Sequence, residues 1–308
     1  MTTLWQDPGW LAGAHAWIDE QATRLGVERT GAIEQPHVVR WSTVLKVPTS
    51  AGPLWFKANH DALRHEAALV SRLSARVPER VPPLLAADLE LGWMLMADAG
   101  ERLRAVIPEE RSLDRWLDAL EATARIQLAF EDAVDDLLAL GVPDMRMTTL
   151  AAGYARLMDE IEAEQRFRDA LPRVTELCEE LGTYGIRETI QHDDLHDGQV
   201  FVLDGRHLIM DWGDACVSHP FFTLSVAIEG VISWGLDDVE DSVDVAPFLA
   251  AYLAPYAERY PQLSPVDLFE ASRVAMRLGW ACRAVNGHVA DDLDPTLARL
   301  RMFVDGRA

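Results

Sequence analysis

The amino-acid sequence predicts an α+β fold in two parts, a small antiparallel-sheet region followed by a larger, mainly helical region. Strand-like segments cluster in the first hundred residues, helical periodicity prevails beyond Gly100, and one strand-rich segment, 187–212, interrupts the helical region. The order shows no βαβ alternation, and neither a GxGxxG nor a GxxxxGK(S/T) sequence is present. A Rossmann fold is therefore not expected.

Length and charge limit the classes of partner. The chain has 308 residues, 49% of them hydrophobic, which is enough for a large core and two lobes. Its net charge of −22, from 28 Lys and Arg against 50 Asp and Glu, repels the phosphates of nucleic acid and anionic membrane surfaces. The same charge is compatible with a cationic substrate, although an acidic surface that keeps the protein in solution is the simpler explanation. We expect neither a nucleic-acid nor a membrane partner.

The cysteines and the N-terminus point to a cytoplasmic protein. Cys178, Cys216 and Cys282 are odd in number and widely spaced, without a CxxC pair, which is typical of reduced thiols. The N-terminal segment has no basic region and carries Asp7, so we do not expect a secretory signal. The longest apolar stretches are shorter than the ~20 residues that a membrane span needs.

The first part is expected to begin with a helix over 9–26, where apolar residues recur at helical spacing between a proline and a glycine. Strand patterns follow, with a hairpin turn at 48–53 and a second helix at 61–76. The predicted strands are 37–39, 43–47, 54–58, 84–87 and 93–96. These elements define a first lobe, residues 1–98, with an antiparallel sheet and one pairing helix.

The second lobe, residues 99–308, is expected to be mostly helical. Helical periodicity marks 113–130, 150–161 and 174–181, and helices resume from 221. The strand-rich segment between them contains a predicted β-hairpin, with 200–203 and 207–210 as its strands and Asp204-Gly205 as its turn.

Three oxygen-bearing side chains flank this hairpin. Asp194 lies in the polar loop before it, Gln199 lies at its start and Asp211 at its end. Because a hairpin brings its two ends together, we expect the three side chains to converge. Two carboxylates and an amide oxygen suit Mg²⁺ held together with substrate phosphates. A carboxylate that does not bind the metal can accept a proton from an attacking hydroxyl, so the set is suited to phosphoryl transfer.

The loop has the sequence His192-Asp193-Asp194-Leu195-His196, followed by Gln199, and the hairpin ends in Asp211-Trp212. This pattern resembles the aminoglycoside phosphotransferase and choline kinase-like family, whose loop reads H-G-D-x-H-x-x-N and whose second motif reads I-D-(W/F). His196 and the Asp211-Trp212 pair match that family better than they match protein kinases. The resemblance implies a two-lobed protein-kinase-like fold. It also implies transfer of the γ-phosphate of ATP, with Mg²⁺, to the hydroxyl group of a small molecule.

By the same resemblance, Asp194 is the catalytic base and Asp211 is a metal ligand. Gln199 is the second metal ligand, in the place of the family's asparagine. Glutamine offers the same carbonyl oxygen on an arm one methylene longer, whereas Mg²⁺ demands strict geometry. A catalytically silent nucleotide-binding relative is therefore the alternative function.

The resemblance also assigns nucleotide-binding residues to the first lobe. Lys57, at the end of an apolar strand, is expected to hold the α- and β-phosphates, and Glu66 on the next helix to orient it. Ser42 is a candidate phosphate donor in a turn that lacks glycine, with an ordinary strand turn as the equal alternative. Met96 and Ala97 are the candidates for adenine binding through backbone groups at the hinge between lobes, with a plain core strand as the alternative.

A zinc hydrolase is a further alternative for the loop. His192 and His196 are four positions apart with an acidic residue between them, which is the spacing of a zinc-protease motif. In that chemistry both histidines lie on one face of a helix, whereas here Gly198 and a strand pattern follow at once. We expect His192 instead to pack and brace the loop.

Polar residues near the C-terminus are candidates for the acceptor pocket, because the C-terminal helices help to form it in the resembling family. They are Arg273, Arg277, Trp280, Arg283, Asn286 and His288. A solvated stripe with its aromatic side chain packed inward is the default interpretation. An acidic group is a candidate for attracting an amine-bearing substrate, although a solvated loop explains it as well: Asp237, Asp238, Glu240 and Asp241.

Overall fold

The computed structural model describes residues 4–229 and 244–305. The chain forms two compact units, Met1–Gly100 with Val202–Gly213, and Glu101–Phe201 with Asp214–Ala308. This division differs from the predicted 1–98 and 99–308 mainly in one segment, because 202–213 belongs to the first unit. The chain therefore passes from the second unit into the first within the predicted hairpin.

The first unit begins with helix α1, Pro8–Leu25, which confirms the predicted helix to within one residue at each end. The Asp7 carboxylate accepts a hydrogen bond from the Trp10 amide at 2.8 Å and caps the first turn. Gly26 ends the helix at φ 70°, a left-handed conformation that glycine adopts without strain. The buried face of α1, which includes Ile18, packs with the sheet in one apolar core.

The sheet of the first unit has five antiparallel strands in the order β1-β2-β3-β5-β4. They are β1 Glu34–Val38, β2 Ser42–Thr49, β3 Gly52–Asn59, β4 Leu84–Asp88 and β5 Trp93–Ala97. All five predicted strands are present, but the β2–β3 turn is shorter than predicted because Pro48 pairs with Pro53 within the strands. Two facing prolines fit a pair of positions that exchange no ladder hydrogen bonds. The central strand is β3, which carries Lys57.

The helix predicted over 61–76 is divided in two. A 3₁₀ turn, Asp61–Leu63, precedes helix α2, His65–Arg76. Glu66 lies on the buried face of α2 together with Leu69 and Leu73, at helical spacing.

The second unit is mainly helical. Its helices and its first short strand are β6 Glu101–Arg102, α3 Leu103–Glu110, α4 Asp114–Ala129, α5 Val134–Ala139, α6 Met147–Glu160, α7 Gln165–Arg168, α8 Leu171–Gly182, α9 Ala246–Arg259, α10 Pro265–Asn286 and α11 Leu293–Val304. The three predicted helices correspond to α4, α6 and α8, whereas α3 and α5 are too short for a clear helical period. Helix α10 packs against α6, α8, α9 and α11, and a reciprocal cap between Ser264 and Asp267 starts it.

The strand-rich segment and its continuation contain four short strands, β7 Thr189–Gln191, β8 Val200–Leu203, β9 Arg206–Ile209 and β10 Cys216–Ser218. The predicted hairpin is formed by β8 and β9, and its turn residues Asp204 and Gly205 have φ 51° and 75°. Strand β7 pairs with β10, whose three residues are too few for a recognisable alternation. The loop between β7 and β8 carries Asp194 and Gln199.

All three cysteines, which lie in the second unit, are free and buried. Across residues 4–229 and 244–305, none of the helices combines the length and the apolarity needed to cross a bilayer.

Candidate active site

A buried lysine with two carboxylate partners is the charged centre of the first unit. Lys57 Nζ lies 2.7 Å from Glu66 Oε2 and 2.6 Å from Asp211 Oδ1. Burial by itself would lower the pKa of Lys57, but the charges of Asp211 and Glu66 outweigh it and raise that pKa above its ordinary value. The lysine therefore stays charged, and its ammonium contacts Asp211, the residue at the end of the β8–β9 hairpin.

Glu66 is held by more than the lysine. Its side chain is 2% exposed, and the Asn59 amide donates a hydrogen bond to Oε2. Asn59 follows Lys57 by two positions on β3, so both side chains are on the same face of the sheet. Asn59 was not among the predicted site residues, although a polar residue at this alternation on an apolar strand is a usable signal.

Asp211 has a special backbone conformation. Its φ is 63°, in the left-handed region that aspartate tolerates better than most residues. The preceding strand is fixed by a hydrogen bond from the Ile209 amide to the Arg80 carbonyl at 2.8 Å, and the Trp212 indole donates to the Ile209 carbonyl at 3.1 Å. The Asp211 side chain remains 49% exposed, so its carboxylate is accessible to a ligand.

The other first-lobe candidates lie on strands of the same unit. Ser42 is buried at the start of β2 and pairs with Asn59. Met96 is buried and pairs with Trp55 on β3. The Ala97 amide donates to the Pro83 carbonyl at 3.0 Å, so this amide is already engaged within the unit.

In the second unit, an arginine holds the predicted base. Arg283, on α10, donates a hydrogen bond from a terminal nitrogen to Asp194 Oδ1. The Arg283 side chain is 11% exposed and that of Asp194 is 24% exposed. Burial opposes the charge of Arg283, but Asp194, Asp193 and Asp214 outweigh it and raise the arginine's pKa. The interpretation of Arg283 as part of a solvated stripe is therefore wrong.

Asp193 occupies the position of the glycine in the family's H-G-D motif. Its φ is 63°, which explains why glycine suits this position. Its buried carboxylate accepts hydrogen bonds from the side-chain amides of Gln191 at 3.1 Å and Asn286 at 2.7 Å. Burial raises the pKa of Asp193 to about 6. Asn286, which lies one turn after Arg283 on α10, is thus a second residue that contacts the loop.

The second histidine of the loop is held through its Nδ1 atom. The Gly198 amide donates to His196 Nδ1 at 2.9 Å, and a terminal nitrogen of Arg104 lies 3.1 Å from the same atom. Arg104 also donates to Asp197 Oδ1, from Nε at 2.9 Å and from the terminal nitrogen at 2.6 Å. Neither Arg104 nor Asp197 was predicted, because the pair joins residues that are far apart in sequence.

The zinc arrangement lacks its structural basis. Residues 192–199 form no helix, so His192 and His196 do not share a helix face. In the described part of the chain, no group of three or more His, Cys, Asp or Glu side chains is arranged to hold a metal ion. His192 is buried, and its Nδ1 lies 3.4 Å from the Asp194 amide. It braces the loop, as expected.

The remaining candidates lie as follows. Gln199 is partly buried, and its backbone amide donates to the His196 carbonyl at 2.9 Å, which closes the loop before β8. Asp194 and Gln199 belong to the second unit and Asp211 to the first, so their convergence stays a prediction. Arg273 is exposed and pairs with Glu270 at 3.2 Å. The acidic group 237–241 lies outside the described residues.

Comparison with known proteins identifies one family. The model of the phosphotransferase enzyme family (APH) matches residues 36–266, three quarters of the chain. This range includes Lys57, Asp194 and Asp211. None of the curated proteins compared with the sequence matches it.

Solved structures resemble the chain over nearly its full length. A Plasmodium vivax ethanolamine kinase covers 98% of this chain and is covered over 89% of its own, with a TM-score of 0.63 and 11% identity. A macrolide 2′-phosphotransferase type I covers 97% of both chains, with a TM-score of 0.58 and 14% identity. The ternary complex of streptomycin, ATP and APH(2″)-IIa covers 95% and 98%, with a TM-score of 0.58 and 14% identity. These structures and the family match confirm the predicted kinase-like α+β fold.

Proposed function

The chain belongs to the phosphotransferase enzyme family, whose members phosphorylate hydroxyl groups of small molecules, and we propose that ATP is its phosphoryl donor and Mg²⁺ its metal. The single observation that carries the proposal is the buried Lys57, held 2.7 Å from Glu66 and 2.6 Å from a half-exposed Asp211. Two carboxylates fix the ammonium, so it is positioned before a nucleotide arrives. Phosphoryl transfer depends largely on such positioning of charge.

We assign the nucleotide and metal contacts by chemistry. Lys57 neutralises charge on the α- and β-phosphates, and Ser42 remains the proposed donor near the β1–β2 turn. Met96 and Ala97 are the proposed adenine contacts, Ala97 through a group other than its engaged amide. Asp211 and Gln199 provide the hard oxygen atoms that suit Mg²⁺, which when bound neutralises charge on the phosphates.

The transfer step uses Asp194. The acceptor hydroxyl attacks the γ-phosphorus in line with the leaving ADP oxygen, and its proton passes to the Asp194 carboxylate. A new O–P bond forms as the bond between the γ-phosphorus and the bridging oxygen breaks. Asp194 is suited to this role because it is partly exposed and its orientation is fixed by Arg283.

The acceptor is a hydroxyl-bearing small molecule. The similar structures are named for action on ethanolamine and on a macrolide, and one contains streptomycin. We propose a cationic acceptor as the first class to test, because the chain carries a net charge of −22.

The experiment is a thermal-unfolding shift with ATP, with and without Mg²⁺, on the wild type, Asp211→Ala and Asp194→Ala. A ligand that binds only the folded chain raises the melting temperature by mass action. We expect a Mg²⁺-dependent rise in the wild type and in Asp194→Ala, and its loss in Asp211→Ala. Asp159→Ala, an exposed aspartate of the second unit, is the control and should behave as the wild type. No shift in the wild type at millimolar ATP would contradict the proposal.

Gln199, in the place of the family's asparagine, favours a second candidate function, a nucleotide-binding protein without catalysis. Turnover of ATP with any hydroxyl acceptor excludes it. Gln199→Asn is expected to keep or raise activity, because asparagine restores the shorter arm. A complete loss in that variant would mean that the longer arm is required and that our metal assignment is wrong.

A further inference from the structure

The two oxygens of Asp194 have different surroundings. Oδ1 accepts the hydrogen bond from Arg283, whose side chain is almost fully buried on α10. The same helix holds the preceding residue, because Asn286 donates to Asp193 Oδ2 at 2.7 Å. Helix α10 therefore holds the side chains of both Asp193 and Asp194. Oδ2 is the oxygen that remains to receive a proton.

Oδ2 faces a second polar atom across a short gap. His196 Nε2 lies 3.8 Å from Asp194 Oδ2. This distance is too long for a direct hydrogen bond, yet an oxygen atom that bridges the two from one side can lie about 2.8 Å from each. The side chains of His196 and Asp194 are 26% and 24% exposed, so the gap is accessible.

The proton position on His196 follows from its other contacts. Nδ1 receives the Gly198 amide hydrogen at 2.9 Å and faces an Arg104 nitrogen at 3.1 Å, and both of these groups are donors, whereas the acceptor Asp197 Oδ1 lies farther away, at 3.6 Å. A neutral imidazole with Nδ1 as acceptor carries its hydrogen on Nε2. A donor (Nε2–H) and an acceptor (Oδ2) therefore border the same gap, which is the pair that one hydroxyl group satisfies.

We propose that the acceptor hydroxyl binds in this gap, donating to Asp194 Oδ2 and accepting from His196 Nε2–H, with Arg283 as the residue that positions Asp194. The inference rests on the proposed function and makes His196 a further catalytic residue. In the transfer step the hydroxyl proton moves to Oδ2, the hydroxyl oxygen bonds to the γ-phosphorus, and ADP leaves with the electron pair of the broken P–O bond. His196 keeps its proton throughout and fixes the direction of the oxygen lone pairs.

Two substitutions separate this role from loop bracing. His196→Asn places a polar atom near Nδ1 and can keep the contact with the Gly198 amide, but it lacks the Nε2 donor. His196→Gln places a donor near Nε2. We expect His196→Asn to lower kcat about 10²-fold, since a misplaced nucleophile has this effect, and His196→Gln to remain within about 10-fold of the wild type. Melting temperatures of both variants should stay close to the wild type.

Arg283 is tested by chemical rescue. Arg283→Ala should lose turnover and regain part of it with added methylguanidinium. Removal of the buried arginine side chain leaves a space that this cation can occupy. Arg173→Ala, an exposed arginine of helix α8, should keep full turnover and show no response to methylguanidinium.

All variants are assayed as the full chain with Mg·ATP, with water as acceptor and with the most active of ethanolamine, streptomycin, a macrolide and a neutral sugar. Loss of activity in Asp194→Asn, with His196→Asn as active as the wild type, overturns the inference and leaves the proposed function intact. Equal losses in both His196 variants with lower melting temperatures also overturn it, in favour of a structural histidine. Wild-type turnover that survives in Asp194→Asn, or is absent with every acceptor, overturns the proposed function itself.

Discussion

Lys57 is unusual within this chain because 26 of its 28 Lys and Arg residues are arginine. Its ammonium lies between two carboxylates, at 2.7 Å from Glu66 and 2.6 Å from Asp211. A compact ammonium can occupy this place, whereas a planar guanidinium spreads its donors over a fork. A lysine at position 57, in a chain with only one other lysine, is therefore itself a compositional signal for this site.

Replacing this lysine tests both stability and binding. Lys57→Met leaves the buried Glu66 without its counter-charge, so we expect a loss of about 3 kcal/mol in the free energy of unfolding, measured with urea. The other lysine, Lys46, lies above the Trp55 ring, and Lys46→Met should cost less than about 1 kcal/mol.

Lys57→Arg should fold but lose most Mg·ATP turnover. Unchanged turnover in that variant would contradict the role given to the ammonium.

Asp193 should give stability a specific pH dependence. Burial raises its pKa from 3.8 to about 6, so the folded chain holds this proton more tightly than the unfolded chain. The contribution to stability is therefore full below about pH 4 and is lost as the pH rises through about 6. Two charged groups face this carboxylate: Arg283 lowers the pKa of Asp193 and Asp214 raises it.

The test is Asp193→Gly, which restores the family's residue at φ 63°. The difference in unfolding free energy between variant and wild type should move in favour of the variant between pH 4 and 7, by up to about 3 kcal/mol. Denaturant titrations at several pH values measure it. A difference in unfolding free energy that is constant over this range would mean that burial does not raise the pKa of Asp193 in the folded chain.

The individual motif residues could be predicted because the loop and the end of the hairpin are short segments, each contiguous in sequence. The contacts of Arg283 and Asn286 with the loop could not be predicted, since their partners lie 89 and 93 positions away in the sequence. A helical pattern predicts which side of a helix is polar, not which aspartate it meets.

Among the elements, α10 is the one that carries the loop contacts, and its position depends on a close approach. A Cβ added at Gly279 would lie 2.1 Å from Ser225 Oγ and 2.9 Å from the Phe222 carbonyl oxygen. Ser225 also donates to the Met276 carbonyl at 2.6 Å, so the segment 222–225 is fixed against this helix.

Gly279→Ala should therefore destabilise the chain by about 2 to 3 kcal/mol and lower turnover, because α10 must shift with Arg283. Gly13→Ala, in α1, is the matched control, since no atom lies within 4 Å of the added Cβ. That change should stabilise by about 0.5 to 1 kcal/mol. Equal unfolding midpoints for the two variants would show that α10 is not closely packed at Gly279.

The elements of the first unit were predictable because alternation and turns are local. The five strands follow their hydrophobic pattern, and α1 has both a proline start and a glycine end. The order β1-β2-β3-β5-β4 and the pairing of β7 with β10 depend on contacts between distant segments, which periodicity does not encode.

For the whole molecule, the family and the class of reaction follow from a few motifs in the correct order along the chain. The acceptor does not, because a pocket is shaped by side chains from several elements and a fold hosts many substrates. The net charge of −22 is a property of the whole surface and selects a class of acceptor only weakly.

The most direct measurement follows labelled phosphate from the γ-position of ATP into product, for the wild type and Asp194→Asn, with Mg²⁺ and ethanolamine, streptomycin, a macrolide and a neutral sugar as acceptors. We predict transfer to at least one acceptor by the wild type and a loss of about 10³-fold in the variant, since a positioned base contributes 10²–10⁴-fold. Binding of Mg·ATP should be unchanged. Equal transfer by both proteins, or none by the wild type, would contradict the account.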